Sequence, residues 1–377
     1  MNKSNHKKFA FIGHPVDLNH LYILLGFWGW FAKLLPRAML YKILLRLPPY
    51  KYCSFKKLMS KTGATASGWT IICPLLPQQV AFLKEEDVIK KVIQAVELAE
   101  KMGAEMAILG GFTSIVGNEG EVISRHSSIA VTSGNTYTAC LAIEGIEKAS
   151  KEMDLDLKQA IIAIIGATGD IGSICTKIFS RKVRKINIAA RNERKLNIFA
   201  DNIKRQGTCQ VEVFKYTRDA VREADIILTV TSAVSVLIKP EDIKPGTIIC
   251  DVAIPANIAK EIVNMRDDVL VFEGGLSKPP FEVNIKGKAK KAMPPKSIFG
   301  CLSEGMLLAL EGKFENYSIG RGNITEQKIA EMFEIERKHG FSVADFFCGY
   351  KIFSKEDIKC IKRNAIRKKE GVNFAAK

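Results

Sequence analysis

The sequence predicts an α/β protein. A doubly wound parallel sheet is preceded by a smaller α/β domain and followed by a helical C-terminal segment. Three observations carry this expectation. The apolar, β-branched run 161–165 breaks directly into glycines at 166, 169 and 172. Beyond it, apolar runs at 185–190, 211–214, 226–231, 247–251 and 269–272 alternate with helical stretches, as a doubly wound sheet requires. Before it, an independent strand-helix-strand series fills about the first 130 residues. The expected domains are therefore 1–135, 136–296 and 297–377.

In chain order, Phe9-Ala10-Phe11-Ile12-Gly13-His14-Pro15 reads as a buried strand ending in a turn, with His14 either a satisfied structural histidine or one facing a cleft. Residues 20–49 combine tryptophans, leucines and flanking cations. The first apolar run there is too short to span a bilayer, so it suits a helix in a membrane interface, a helix lining a greasy tunnel, or a core helix pair. A strand follows at 69–74. Residues 85–102 place Val88, Ile89, Val92, Ile93, Val96 and Ala99 on one helical stripe, and a further strand runs from Met106 into Gly110 and Gly111. The polar cluster Thr132-Ser133-Gly134-Asn135-Thr136-Tyr137-Thr138 opens a helix reaching about Met153. Asn135 or Thr136 caps that helix or presents its amide or hydroxyl to a substrate or nicotinamide.

In the segment Gly166-Ala167-Thr168-Gly169-Asp170-Ile171-Gly172 each glycine has a mechanical task. Gly166 permits a tight turn, Gly169 lets backbone approach a pyrophosphate, and Gly172 lets helix lie close to strand, the Rossmann-type arrangement. The phosphates would sit on the N–H groups of the helix beginning near Asp170. An acidic side chain at the end of the second strand would bind the ribose hydroxyls of NAD. Here Arg191 and Asn192 stand there, about twenty residues past Gly172, and a guanidinium suits a 2′-phosphate, so NADP(H) is expected. Thr229, Thr231 and Ser232 follow the fourth strand, where loops pass over a cofactor. Lys286, Lys288, Lys290, Lys291 and Lys296 lead into a helix carrying Cys301. A cysteine inside a helix N-terminus beside such a loop is expected to have a lowered thiol pKa, as a nucleophile needs, although a buried core cysteine would look alike. The tail is helical, basic near 359–369 and expected to pack on the first domain.

Of the 377 residues, 47% are hydrophobic, enough for a large core, and the formal charge of +16 fits either an anionic partner (nucleic acid, a membrane surface or an acidic protein) or a solvated lysine-rich surface with no specific partner. The nine cysteines are scattered without metal-ligand spacing, which fits a reducing cytosol with neither disulfide framework nor zinc.

Several stretches together resemble one family. They are Leu109-Gly110-Gly111-Phe112-Thr113-Ser114-Ile115, Ser133-Gly134-Asn135-Thr136-Tyr137-Thr138-Ala139, the glycine turn through Ser173, Ala190-Arg191-Asn192, and Gly300-Cys301 with Glu304-Gly305-Met306-Leu307-Leu308. In this order, with Ile319-Gly320-Arg321-Gly322-Asn323-Ile324-Thr325 after them, they resemble the long-chain acyl-carrier-protein reductases of cyanobacteria. The resemblance runs from Phe9 to about Phe341. It implies NADPH-dependent reduction of a fatty acyl thioester to an aldehyde through an acyl group on Cys301. An oxyanion would form in both steps and needs fixed donors, for which Asn135 and Thr136 are the candidates. The resemblance further implies an acyl carrier protein or coenzyme A thioester as acyl donor and an aldehyde-consuming enzyme as a further partner. The first domain would bind the acyl substrate, and no nucleic-acid partner is expected. The chain is expected in the cytoplasm, with peripheral membrane contact through 20–49. That stretch is longer than the family suggests, and the basic tail after Phe341 looks added. Two other readings stand beside this one. A dehydrogenase related to shikimate dehydrogenase also carries an Asn-Thr pair, but it needs an acid where this chain has Tyr137. A membrane-associated NADPH-binding protein without catalysis is the other.

Overall fold

The structure, a computed structural model, describes residues 7–80, 82–207, 209–231, 238–252, 259–283, 296–349 and 351–371. The chain divides into two compact units. Unit 1 comprises Met1–Tyr137, Ser277–Asn323 and Ala330–Ser342; unit 2 comprises Thr138–Leu276, Ile324–Ile329 and Val343–Lys377. The segment 297–377 is thus shared between the units instead of standing apart, and the basic tail belongs to unit 2, not to the first domain as expected.

Unit 1 is built on strands β1 (Lys7–Gly13), β2 (Tyr50–Met59), β3 (Thr65–Ile72), β4 (Met106–Leu109) and β5 (Ala130–Thr132), in spatial order β2-β3-β1-β4-β5. Only β2 runs antiparallel, at the edge beside β3. Parallel strands are covered on both faces, which is why Met106–Leu109 is apolar at every position and wholly buried. The helix Glu85–Lys101 lays Val88, Val92, Ala95, Val96 and Ala99 on Ala10, Ile12, Ala107 and Leu109 of the sheet. Three acidic residues in its first turn complement the helix dipole. The helix Gly300–Glu311, buried at almost every position, belongs to the same unit. Its Gly305 lies so close to β4 that an added Cβ would overlap the Ile108 side chain.

Unit 2 is a six-stranded sheet of β6 (Ile161–Ile165), β7 (Lys185–Ala189), β8 (Gln210–Phe214), β9 (Ile226–Thr229), β10 (Ile248–Asp251) and β11 (Leu270–Glu273). All pairs are parallel, and the order is β11-β10-β9-β6-β7-β8. The order reverses at β6, the position at which a doubly wound sheet opens a ligand crevice beyond its strand ends. The helices Asp170–Phe179 and Glu193–Arg205 follow β6 and β7. The tail helix Lys355–Lys369 is held by ion pairs from Lys368 Nζ to Asp267 Oδ1 at 2.7 Å and Asp268 Oδ1 at 3.1 Å.

Candidate active site

Cys301 is the second residue of the helix Gly300–Glu311, and its N-terminal position turns free backbone N–H groups toward the thiol. The backbone at Leu302, Gly111 and Cys301 itself pulls the thiol pKa down. Burial outweighs this pull, the Glu304 carboxylate one turn along the helix adds to the burial effect, and the thiol is pushed up to about 11. The lowered pKa expected from the sequence is therefore not what the structure holds. Lys286, Lys288, Lys290 and Lys291 lie outside the described residues, and burial dominates what remains.

Two loops of unit 1 are locked against this helix. Gly134 adopts φ +77°, and a Cβ there would overlap the Cα and Cβ of Cys301. Glu304 fastens the same loop at both ends, accepting from the Thr132 hydroxyl and, at 2.8 Å, from the Tyr137 N–H. The other loop carries Gly111, at φ +61°, and is held by His14. His14 Nε2 stands 3.0 Å from the Phe112 N–H and Nδ1 3.0 Å from the Pro15 carbonyl. An N–H can only donate and a carbonyl only accept, so Nδ1 carries the proton. The ring is neutral, its pKa lowered to about 4 by burial, with His20 adding against the Pro15 hydrogen bond.

In unit 2, β6 turns at Gly166 (φ +93°), whose added Cβ would meet the Val230 carbonyl oxygen at 2.9 Å and the Thr231 nitrogen at 3.3 Å. A Cβ at Gly172 would overlap the Gly166 carbonyl oxygen, so the helix Asp170–Phe179 rests directly on the turn. Gly169 is the exposed N-cap, which leaves backbone open to a ligand at the helix start. Arg191 is exposed just past β7. A bare turn, a helix N-terminus and an unburied guanidinium fit the pyrophosphate and 2′-phosphate of NADP(H).

Residues 147–273 match the family described as shikimate / quinate 5-dehydrogenase, which covers the nucleotide-type sheet. Over 294 residues the chain is 32% identical to the long-chain acyl-[acyl-carrier-protein] reductase of Synechococcus elongatus, covering 75% of this chain and 84% of that one. The chain belongs to the long-chain acyl-[acyl-carrier-protein] reductase family. It is also 29% identical over 293 residues to the aminotransferase PigE of a Serratia species, covering 78% of this chain but 34% of PigE. The shikimate 5-dehydrogenase structure of Listeria monocytogenes is 12% identical, covering 88% of this chain and 97% of that one, with a TM-score of 0.37. Membership makes this chain an NAD(P)-dependent oxidoreductase on a Rossmann-type fold.

For a member of the reductase family, the structure distributes the expected residues unevenly. Cys301 and Asn135 lie in the same unit, joined through Gly134. Asn135, half-buried, opens the helix Asn135–Glu152, and its N–H donates to Ser133 Oγ. Thr136 is turned away from an oxyanion role: its N–H donates to Ser318 Oγ at 3.1 Å and its hydroxyl pairs with the same oxygen at 2.5 Å, all buried. Tyr137 is fully buried with its hydroxyl on Glu336 at 2.8 Å, so no acid of the shikimate type stands in its place.

In the nucleotide half, Gly166, Ala167, Thr168, Gly169, Asp170, Ile171 and Gly172 form the turn and first helical residues, and the backbone at Thr231 abuts Gly166. Asn192 caps the following helix, its Oδ1 accepting from the Lys195 N–H at 2.9 Å. Thr229 is interior, donating to Asp251 Oδ1 at 2.6 Å. Ser232 lies outside the described residues. His14, Gly111 and Glu304 gained no role in the site from the sequence. Gly111 and Glu304 stand inside the stretches that resemble the family, and that was the available signal.

Proposed function

We propose that this protein reduces a long-chain fatty acyl thioester to the fatty aldehyde with NADPH, by way of an acyl group on Cys301. The observation that carries the reading is the setting of Cys301, in the first turn of the helix Gly300–Glu311 with the Gly134 loop packed directly on its backbone.

The thiol loses its proton, and the thiolate attacks the thioester carbonyl. The bond from that carbon to the carrier's sulfur breaks, and the carrier leaves as a thiolate that takes up a proton. Negative charge develops on the carbonyl oxygen during attack, which calls for fixed donors; the Gly111 and Leu302 N–H groups and the Asn135 amide are assigned to it. NADPH, held by the 166–172 turn with Arg191 on its 2′-phosphate, supplies the reducing equivalent when bound. The resulting Cys301 hemithioacetal collapses, releasing aldehyde and returning the sulfur. Acyl carrier protein is the proposed donor, matching the substrate in the relative's name, with coenzyme A thioesters the alternative. An enzyme that consumes the aldehyde is the proposed further partner.

The test is anaerobic incubation with a long-chain acyl thioester without NADPH, followed by intact-protein mass spectrometry and peptide mapping. A mass gain of one acyl group on Cys301 is expected. An unmodified protein, or an adduct that persists in Cys301→Ser, overturns the assignment.

A further inference from the structure

Between Leu18 and Arg46 three short helices, Leu18–Leu24, Phe27–Ala32 and Arg37–Arg46, form a small cap with its own interior. Leu21, Ala32, Leu40 and Leu44 pack with Leu76 there, so the inward faces are already satisfied. The outward face is apolar too. Eight of the sixteen large hydrophobic side chains exposed among the described residues fall in this stretch. Phe27, Trp28, Trp30 and Leu34 are 76%, 68%, 63% and 69% exposed. That arrangement is enforced by backbone. Gly26 turns with φ +58°, and Gly29 presses on Tyr22 so closely that a Cβ would overlap the Tyr22 carbonyl. The helix that presents the aromatic rings therefore cannot roll them inward.

Charge selects what this face meets. From Asp17 to Glu85 the chain carries nine lysines and arginines and no acidic residue between those two acids. Lys33, Arg37, Lys42 and Arg46 are all exposed on the cap itself. Side chains lining a groove for a partner helix are partly covered by its walls, whereas the Phe27, Trp28 and Trp30 rings touch Phe31 and stay mostly exposed. Tryptophan and phenylalanine with flanking cations are the composition that settles at the level of lipid headgroups. No described helix is long and apolar enough to cross a bilayer.

We infer that the 18–46 cap is a docking surface for an anionic phospholipid bilayer, with the aromatic rings entering the headgroup region and the four cations on lipid phosphates. The inference stands apart from the reaction proposed for Cys301. Two of the three tryptophans, Trp28 and Trp30, lie on the cap, so intrinsic fluorescence reports its environment directly.

The test uses the full chain with vesicles of phosphatidylcholine, either alone or mixed with phosphatidylglycerol, followed by co-sedimentation and tryptophan emission. Binding to the anionic vesicles with a blue shift is expected. Affinity should fall about tenfold or more on phosphatidylcholine alone, and by a similar factor in Lys33→Glu with Arg37→Glu. Phe27→Ser with Leu34→Ser should lose binding while its melting temperature stays at the wild-type value, since both side chains are mostly exposed. No co-sedimentation, sedimentation without a blue shift, or wild-type binding by both double variants overturns the inference. So does a blue shift produced by an acidic carrier protein and not by vesicles, which would make the cap a protein-docking face. Turnover enters none of these readouts, so a failed vesicle experiment leaves the acyl-Cys301 reading untouched.

Discussion

Gly134 and Cys301 are in backbone contact: no side chain fits at residue 134 without displacing the cysteine's Cα. Because Gly134 also holds φ +77°, Gly134→Ala meets both a steric and a conformational cost. The left-handed conformation alone costs a non-glycine residue about 1–2 kcal/mol. We expect a lowered melting temperature and acyl-enzyme formation at least about tenfold slower, from misplacement of the sulfur. Stopped-flow acylation beside a thermal melt checks this. Normal acylation in a destabilised variant would show that the contact serves folding alone.

The thiol pushed up to about 11 sets a pH dependence. Below that value the thiolate fraction rises about tenfold per pH unit. Alkylation of Cys301 by iodoacetamide should therefore keep accelerating from neutral pH to pH 10 with no plateau. A plateau near pH 7 would mean a thiolate already formed at rest. Cys301→Ser should abolish aldehyde formation and leave NADPH binding unchanged, as fluorescence titration would show.

His14 works on the same sulfur from a distance, by holding the Phe112 N–H and with it the neighbouring Gly111. His14→Ala leaves a buried N–H without its acceptor, at a cost of about 1–3 kcal/mol. It should slow Cys301 alkylation and push the thiol still higher. The sign of the acid response also follows. The folded-state pKa is lowered from 6.5 to about 4, so between those values the unfolded chain binds the extra proton. Stability should fall as pH drops from about 6.5 toward 4, by about 1.4 kcal/mol per unit at most, and this slope should be absent in His14→Ala. Denaturant midpoints at pH 5 and 7 measure it.

The parallel strands other than the three-residue β5 were legible because burial on both faces leaves unbroken apolar runs such as Ile161–Ile165, and the glycine turn because each glycine answers a distinct contact. β2 was not legible: Lys51, Lys56 and Lys57 make Tyr50–Met59 read as polar, which suits an edge strand with one open side. The candidate site was half legible. Cys301 and Asn135 were named as candidates, Cys301 chiefly through the family resemblance, and they lie in one unit, but Thr136 is bound to Ser318, a partner 182 residues away that no local pattern contains. The rise in the Cys301 pKa comes from burial, and burial is a property of the folded neighbourhood.

Arg191, exposed just past β7, is the side chain we propose for the 2′-phosphate. A guanidinium on a phosphate is a charge-assisted contact of about 1.5–3 kcal/mol. Arg191→Ala should weaken NADPH binding about 10- to 100-fold and leave NADH binding within about twofold. Calorimetric titration with both nucleotides decides it. Equal loss for the two would move Arg191 from the 2′-phosphate to a general structural role.

The tail helix offers a test of unit 2 alone. Burial pushes the Asp268 carboxyl up, but hydrogen bonds from Arg266 and Lys368 outweigh it and hold the group below the ordinary carboxylate range. Arg266 Nε and Nη2 each lie 2.7 Å from Asp268, whose side chain is fully buried. Removing one partner of a buried pair typically costs about 3–5 kcal/mol. Arg266 keeps the Pro240 and Ile243 carbonyls as acceptors, so Asp268→Asn should cost less, about 2 kcal/mol at neutral pH. A carboxylate with a lowered folded-state pKa stabilises above its unfolded value of about 3.9 and loses that contribution as pH falls through the folded value. The gap between wild type and Asp268→Asn in denaturant midpoint should therefore close below about pH 4. Acylation of Cys301, in the other unit, should proceed at the wild-type rate in this variant. A variant as stable as wild type at pH 7 would mean that the tail is held by Ile358, Ile361 and Ala365, the buried face of its helix, and not by charge.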